Sequence, residues 1–273
     1  MQQDRLLDAE HEFRRSLKLQ PNASKVLLDL ATLLANQGRY NETKTLLRDA
    51  ISNDDKNISL RMNLGSLYEK LDLMDSAIYY FKGVTILDST YRWSYRSLAN
   101  IYSESEQYGQ ALQFYSKFLN IDSTSIEGYY RRATTYMALK KSENAIADWT
   151  RLVQLQPNEA EHYRNRGLTY FQLSNFDEAI VDFSRALELR PDQPYTHINL
   201  GYGLYLIGKP KKALLSIEEG LKIVPNYSLG YYFEALAYLD LRKRKKACQS
   251  LKKAIELGLR DDDIDTIIFA KCL

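Results

Sequence analysis

The amino-acid sequence predicts an all-α solenoid built from antiparallel helix pairs, and three observations carry that prediction. A 34-residue pattern recurs along most of the 273-residue chain without insertion or deletion. Within each copy, apolar residues recur at the i, i+3, i+4, i+7 spacing of an amphipathic helix. The eighth position of the pattern is glycine or alanine in all seven full copies, which allows two helices to cross with their backbones close together.

The repeat period sets the predicted boundaries of the elements in chain order. Residues 1–23 match the second half of a unit, with Ala9, Phe13 and Pro21 at the expected positions. Seven full units follow at residues 24–57, 58–91, 92–125, 126–159, 160–193, 194–227 and 228–261. We expect residues 262–273 to form a capping helix, because a solenoid needs a cover for its last repeat. The chain 1–273 is therefore predicted to be a single solenoid domain.

Two further positions indicate how the two helices of a unit pack. Position 20 is alanine in every full unit except the first, where it is Thr43. Position 24 is large throughout, and the seven residues are Leu47, Phe81, Tyr115, Trp149, Phe183, Ile217 and Leu251. Gly38 and Gly208, both at position 15, suit a tight turn between the helices. Prolines near the end of three units stop the second helix.

The copy at 160–193 is the most regular of the seven. Its marker residues are Tyr163, Gly167, Tyr170, Ala179, Phe183, Ala186 and Pro191. This pattern resembles that of the tetratricopeptide repeat family. The residues of units four, five and seven are similar to those of bacterial members of the family. The resemblance implies a right-handed α-α superhelix whose inner groove, lined by the first helices, binds segments of partner proteins.

Composition and charge exclude several classes of protein. Apolar residues make up 45% and charged residues 26% of the chain, as in a folded soluble protein, and the net charge is +2. No apolar run reaches the length of about 18 residues that a membrane-spanning helix needs. The first ten residues do not form a signal peptide. The two cysteines, Cys248 and Cys272, are interpreted as separate, unreactive thiols. Because free thiols are typical of a reducing compartment, a cytoplasmic location is slightly favoured. A periplasmic location stays open if an N-terminal signal was removed.

No motif in the sequence indicates catalysis, a metal site or a cofactor. The three histidines, His11, His162 and His197, lack metal-ligand spacing. There is no Gly-rich phosphate loop and no nucleophile motif of the G-x-S-x-G type. We therefore predict a protein that is not an enzyme, with no catalytic residue, no metal and no cofactor.

Two positions vary together between the units. Position 7 is arginine only in units four and five, at Arg132 and Arg166. Position 23 is aspartate only in the same two units, at Asp148 and Asp182. We predict that the arginine and aspartate of each unit form an ion pair between its two helices, because a buried guanidinium needs a fixed carboxylate partner.

The resemblance also implies that positions 2, 5, 6, 9, 12 and 13 face the groove. In units three to six these positions are rich in arginine, asparagine and aromatic residues: Trp93, Arg96, Asn100, Tyr130, Arg131, Thr134, Arg164, Asn165, Phe171, Tyr195, Asn199, Tyr202 and Tyr205. Arginine binds carboxylates, and asparagine pairs with a partner's backbone. We predict a protein or peptide ligand that carries an acidic segment or a C-terminal carboxylate. The alternative for Asn165 and Asn199 is that they are ordinary consensus residues.

Three functions remain open from the sequence. The leading hypothesis is a non-catalytic scaffold that binds a peptide segment in the groove. A second is a targeting or regulatory domain of a larger protein whose enzymatic or membrane-anchoring part lies N-terminal to this chain, and the half-unit at residues 1–23 favours it. A third is nucleic-acid binding through the basic run 242–246, although a solvated turn explains that run better and no nucleic acid is expected as partner. The apolar side of the first helix further suggests a homodimer through an uncovered end of the solenoid.

Overall fold

The computed structural model describes residues 2–260 and residue 272. Fifteen α-helices and no strand lie within this part of the chain. They are α1 Gln2–Leu19, α2 Ser24–Asn36, α3 Tyr40–Asn53, α4 Ile58–Lys70, α5 Met74–Leu87, α6 Arg92–Glu104, α7 Tyr108–Ile121, α8 Ile126–Ala138, α9 Ser142–Leu155, α10 Ala160–Gln172, α11 Phe176–Leu189, α12 Pro194–Leu206, α13 Pro210–Ile223, α14 Ser228–Asp240 and α15 Arg244–Glu256. The capping helix expected at 262–273 lies outside the described residues, apart from residue 272.

Each 34-residue unit contributes a first helix and a second helix. The first helix begins at the first residue of the unit, for example at Ser24, Ile58 and Arg92. The second helix begins sixteen residues later in every unit, from Tyr40 in the first to Arg244 in the last. None of the helices in the described range is long and apolar enough to cross a lipid bilayer.

The chain divides into two compact units, Met1–Gly128 and Tyr129–Leu273. In Met1–Gly128 the large residues at position 24, Phe81 and Tyr115, are completely buried. In Tyr129–Leu273, Phe183 and Ile217 occupy the same position and are equally buried. The large residue at position 24 fills the space between the helices and therefore forms part of the core of both compact units.

The two helices of a unit cross with backbone contact where position 8 meets position 20. A Cβ atom added to Gly201 would lie 2.8 Å from the carbonyl oxygen of Ala213 and 2.5 Å from Ile217 Cγ1. At Gly167, an added Cβ would lie 2.9 Å from the ring of Phe183. Both distances are too short even for the Cβ atom of alanine, so units five and six require glycine at position 8 for this crossing.

The turn between the helices has the same backbone conformation in all seven full units. Position 15 has positive φ throughout, at Gly38, Asp72, Glu106, Lys140, Ser174, Gly208 and Arg242. Glycine occupies this left-handed position in only two of the seven units. The other five residues bear the steric cost that a side chain incurs there.

The two cysteines form a disulfide, so their interpretation as separate thiols is wrong. Cys248 lies on α15, and Cys272 lies 24 residues further along the chain. Their Cα atoms are 5.0 Å apart, within the range that a disulfide requires. Cys272 also packs against a buried cluster that contains Leu251 and Leu259. The disulfide thus ties residue 272 to the last helix pair, a contact that sequence separation does not reveal.

Candidate functional site

The arginine and aspartate at positions 7 and 23 are in contact in both units that carry them. Arg132 Nε and Nη2 donate to Asp148 Oδ2 and Oδ1 at 2.8 and 2.7 Å. Arg166 Nε and Nη2 donate to Asp182 Oδ2 and Oδ1 at 2.7 and 2.8 Å. Each contact joins the first helix of a unit to its second helix with the bidentate geometry that guanidinium and carboxylate favour. The side chains of these four residues therefore bond to each other within the protein.

The electrostatics of the two pairs follow from burial and bonding. The hydrogen bond to Asp182 raises the pKa of Arg166 against the opposing effect of burial. Burial lowers the pKa of Arg132, but the bond to Asp148 outweighs it and the net pKa is raised. Arg166 Nη1 also donates to Thr150 Oγ1 at 3.2 Å, which connects α10 to α9 of the preceding unit. Both arginines thus stay charged at any ordinary pH.

Unit seven carries a different polar pair at the same two positions, which the sequence analysis missed. Ser250 Oγ donates to Glu234 Oε2 at 2.6 Å. Burial raises the pKa of the Glu234 carboxyl, the Ser250 hydroxyl lowers it in part, and the nearby Glu218 raises it again. Tyr238 donates its hydroxyl to Glu218 at 3.0 Å in the same region. Extending the comparison of positions 7 and 23 to unit seven would have found this pair.

Three of the predicted groove residues lie in Met1–Gly128, and all three already have partners within the protein. The guanidinium of Arg96 lies 3.2 Å from Glu127 and 5.0 Å from the ring centre of Trp93. Arg92 lies over the same indole at 4.5 Å, so two cations flank Trp93. Asn100 Oδ1 accepts a hydrogen bond from Tyr115 at 2.8 Å. Asn100 therefore has a structural bond across its unit, whereas Trp93 remains 40% exposed.

A second group of predicted residues lies on α8 and α10 in Tyr129–Leu273. Arg164 Nη2 lies 3.3 Å from Glu161 Oε1 and 3.3 Å from Asn165 Oδ1. Tyr130 donates its hydroxyl to the same Glu161 carboxylate at 3.2 Å. Burial, followed by the Glu161 charge, raises the pKa of Tyr130. The Glu161 carboxylate thus contacts both Tyr130 and Arg164 and partly neutralises the charge of Arg164.

Arg131 differs from the other two predicted groove arginines. Its side chain is exposed, and no ion pair within the described residues involves it. Arg96 and Arg164 each have a carboxylate at hydrogen-bond distance. Both of those carboxylates occupy position 2 of a unit, a position that faces the same side as the arginines. Glu127 and Glu161 were not among the predicted groove residues, although position 2 was predicted to face the groove.

The predicted tyrosines of α12 belong to a larger set of aromatic rings. Tyr202 stacks on Phe233 with 3.9 Å between ring centres and 4° between ring planes. Tyr202 also lies 5.6 Å from Phe171 and 6.2 Å from Tyr205. Tyr195 packs edge-on against Tyr227 at 5.1 Å, yet it is 53% exposed. Phe233 was missed because the groove positions were read only in units three to six, although it occupies position 6 of unit seven.

The basic run 242–246 is exposed at the turn that connects α14 and α15. Lys246 lies 5.3 Å from the ring centre of Tyr238. No aromatic side chain is interleaved within the run, and aromatic stacking is a main source of affinity for single-stranded nucleic acid. This turn therefore adds nothing in favour of a nucleic-acid interface.

Comparison with protein families gives matches along the repeats. Models of the tetratricopeptide repeat match residues 28–91, 94–125, 134–197 and 230–257. These four ranges fall within the seven units and together span well over half of the chain. No curated protein matches the chain in sequence.

Several solved structures are similar to the chain. A MamA protein is 25% identical, with a TM-score of 0.58 over 61% of this chain and 91% of that one. YrrB, described as a TPR protein with an unusual peptide-binding site, is 22% identical, with a TM-score of 0.61 over 71% and 98%. A tetratricopeptide repeat protein from Parabacteroides merdae is 17% identical, with a TM-score of 0.56 over 90% and 98%. The last two likenesses concern the fold alone, and the all-α repeat architecture predicted from the sequence is confirmed.

Proposed function

Because the chain belongs to the tetratricopeptide repeat family, we propose that it is a non-catalytic scaffold that binds a segment of a partner protein on its first helices. The observation that carries the proposal is the placement of Arg131 and Arg164 on the first helices of adjacent units. Arg131 is exposed and has no ion-pair partner in the described chain, and Arg164 makes long contacts of 3.3 Å to Glu161 and to the neighbouring Asn165.

The ligand we propose is acidic, either through its side chains or through a C-terminal carboxylate. Exposed ion pairs contribute only about 0–1 kcal/mol, so a partner carboxylate can replace Glu161 as the contact of Arg164 at little cost. The guanidinium of Arg131 is available for a bidentate contact without breaking any existing bond. Tyr130 and Asn165 lie beside these arginines and add a hydroxyl and an amide for the ligand backbone.

A peptide array tests this function directly. Arrays of acidic peptides, neutral peptides and peptides with free or amidated C-termini are incubated with the wild-type chain and with Arg131→Glu and Arg164→Glu. We expect capture of acidic or free-carboxylate peptides that both substitutions abolish. Arg185→Glu is the matched control, since Arg185 is an exposed arginine of the second helix α11 in the same compact unit. Equal capture by wild-type and both groove variants would refute the proposal.

A further inference from the structure

The first helices of units five to seven carry a row of rings that the arginine-based proposal leaves unused. We define this aromatic row as Phe171, Tyr202, Tyr205 and Phe233. Its members connect α10, α12 and α14 through centre-to-centre distances of 5.6 Å for Phe171–Tyr202 and 3.9 Å for Tyr202–Phe233. None of the four rings is fully buried. Two exposed side chains lie near the start of the same helices, Tyr195 of α12 at 53% and Leu229 of α14 at 38% exposure.

Charge is nearly absent from α12 and α14, the two helices that present three of the four rings of this row. Helix α12, PYTHINLGYGLYL, contains no Asp, Glu, Lys or Arg. Helix α14, SLGYYFEALAYLD, contains two acids, of which Glu234 is bonded to Ser250 and Asp240 is the last residue of the helix. A charged ligand would lose its hydration here without gaining a partner. Complementarity therefore requires an uncharged segment over α12 and α14.

Polar groups beside the row are hydrogen-bond donors suited to backbone carbonyls. No hydrogen bond among the described residues uses the Asn199 amide or the Tyr195 hydroxyl. A polyproline II segment has solvated carbonyls that accept such bonds, and its proline rings pack against aromatic surfaces. Its conformation is also largely formed before binding, which lowers the entropic cost. A Leu-rich helix, by contrast, offers no free carbonyls to these donors.

We propose that the aromatic row binds an uncharged, proline-rich stretch of the partner, in extended polyproline II conformation, next to the acidic stretch bound by the arginines. This inference rests on the proposed function and specifies its ligand. The two subsites are continuous, because Arg164 and Phe171 are seven residues apart on α10 and hence on one face, about 10 Å apart along the axis. The partner segment is thus bipartite, acidic toward α8 and proline-rich toward α14.

Fluorescence anisotropy with three labelled peptides of twelve residues tests the inference. The first has four acidic residues followed by an uncharged stretch with alternating prolines. The second replaces every proline by alanine, and the third replaces every acid by its amide. We expect the first peptide to bind about tenfold more tightly than the second, because the preformed conformation and the ring contacts are lost without proline.

Substitutions in the protein locate the contact. Tyr195→Ala and Phe233→Leu should each weaken binding of the first peptide by about fivefold to tenfold, with circular dichroism confirming the fold. Tyr79→Ala is the matched control, since Tyr79 is 67% exposed and packs edge-on against Tyr80 at 5.2 Å, much as Tyr195 packs on Tyr227. Tyr195 is an exposed residue, so its variant is informative even if Phe233→Leu unfolds.

The outcomes separate this inference from the proposed function. Equal affinity of the proline and alanine peptides, or unchanged affinity in Tyr195→Ala, overturns the proline-rich subsite. If Arg131→Glu still abolishes binding in that case, the scaffold function stands without the inference. If the neutral third peptide binds as tightly as the first while Tyr195→Ala weakens both, the acidic subsite fails and the aromatic subsite stands.

Discussion

Removing the carboxylate of Asp182 is the perturbation whose effect the structure defines most closely. The Asp182 side chain is 4% exposed, and it accepts two hydrogen bonds from Arg166, whose side chain is 17% exposed. Asp182→Ala leaves the guanidinium partly buried, with only the Thr150 hydroxyl as a remaining bond. The positive charge of Arg166 then has no carboxylate at hydrogen-bond distance among the described residues.

The expected magnitude follows from the cost of an unpaired buried charge. Breaking a buried pair by removing one partner costs about 3–5 kcal/mol. Because Arg166 keeps some exposure and can turn toward solvent, we expect the lower end of that range, about 3 kcal/mol. Replacing both residues with leucine copies Leu30 and Leu46 of unit one. The double variant should lie within about 1 kcal/mol of wild type, because no charge is left unpaired.

Hydrogen exchange of the α10 and α11 amides is the assay, because unfolding of repeat arrays need not be two-state. Asp182→Ala should lower protection in these two helices strongly, and the double leucine variant should restore it. Glu188→Ala, which breaks the exposed pair with Arg185 on α11, serves as control and should leave protection unchanged. Unaltered protection in Asp182→Ala, or a double variant as damaged as the single one, would refute the reasoning.

Three further predictions concern stability. Cys272→Ser should destabilise the last helix pair by about 3.5 kcal/mol, estimated from the 24-residue separation, and reducing agent should destabilise wild type but not the variant in guanidinium titrations. Because the pKa of Glu234 is raised in the folded protein, stability is lost as the pH rises from the ordinary pKa of 4.5 through the raised pKa. In thermal melts, Glu234→Gln should therefore be more stable than wild type at pH 7 and similar to wild type at pH 4. A stability difference that stays constant with pH would contradict this prediction. Lys140→Gly should stabilise by about 0.5–1 kcal/mol in denaturant titrations, since Lys140 has φ 56° and glycine removes that steric cost; a lower midpoint would show that the turn is unstrained.

The helix pairs could be predicted from the sequence because a single spacing governs them. Small residues at positions 8 and 20 and a large one at position 24 recur in fixed register, and Gly201 and Ile217 show the contact that selects them. The shared turn conformation was only partly visible. Glycine at Gly38 and Gly208 indicates the positive φ of the turn, whereas Lys140 and Arg242 adopt the same conformation without a residue type that indicates it. The packing of the flanking helices offsets their strain.

The candidate site was harder to predict because side chains from successive units combine there. Arg96 and Arg164 were chosen for their charge, yet Glu127 and Glu161 neutralise them across one turn or one unit. Both glutamates occupy position 2 of their unit, so reading position 2 together with the arginines would have indicated these ion pairs. The disulfide had no comparable signal, since only the return of the chain at residue 272 brings the two sulfur atoms together.

Site-specific photocrosslinking of a bound partner segment tests the central claim, that the first helices form the binding face. Benzoylphenylalanine is placed at Leu168 or Leu229, which are 36% and 38% exposed on the first helices α10 and α14, and at Val181 or Leu215, which are 67% and 66% exposed on second helices of the same compact unit. We predict crosslinks to an acidic, proline-rich peptide from the two first-helix positions and none from the two second-helix positions. Crosslinks from Val181 or Leu215, with none from Leu168 or Leu229, would contradict the account.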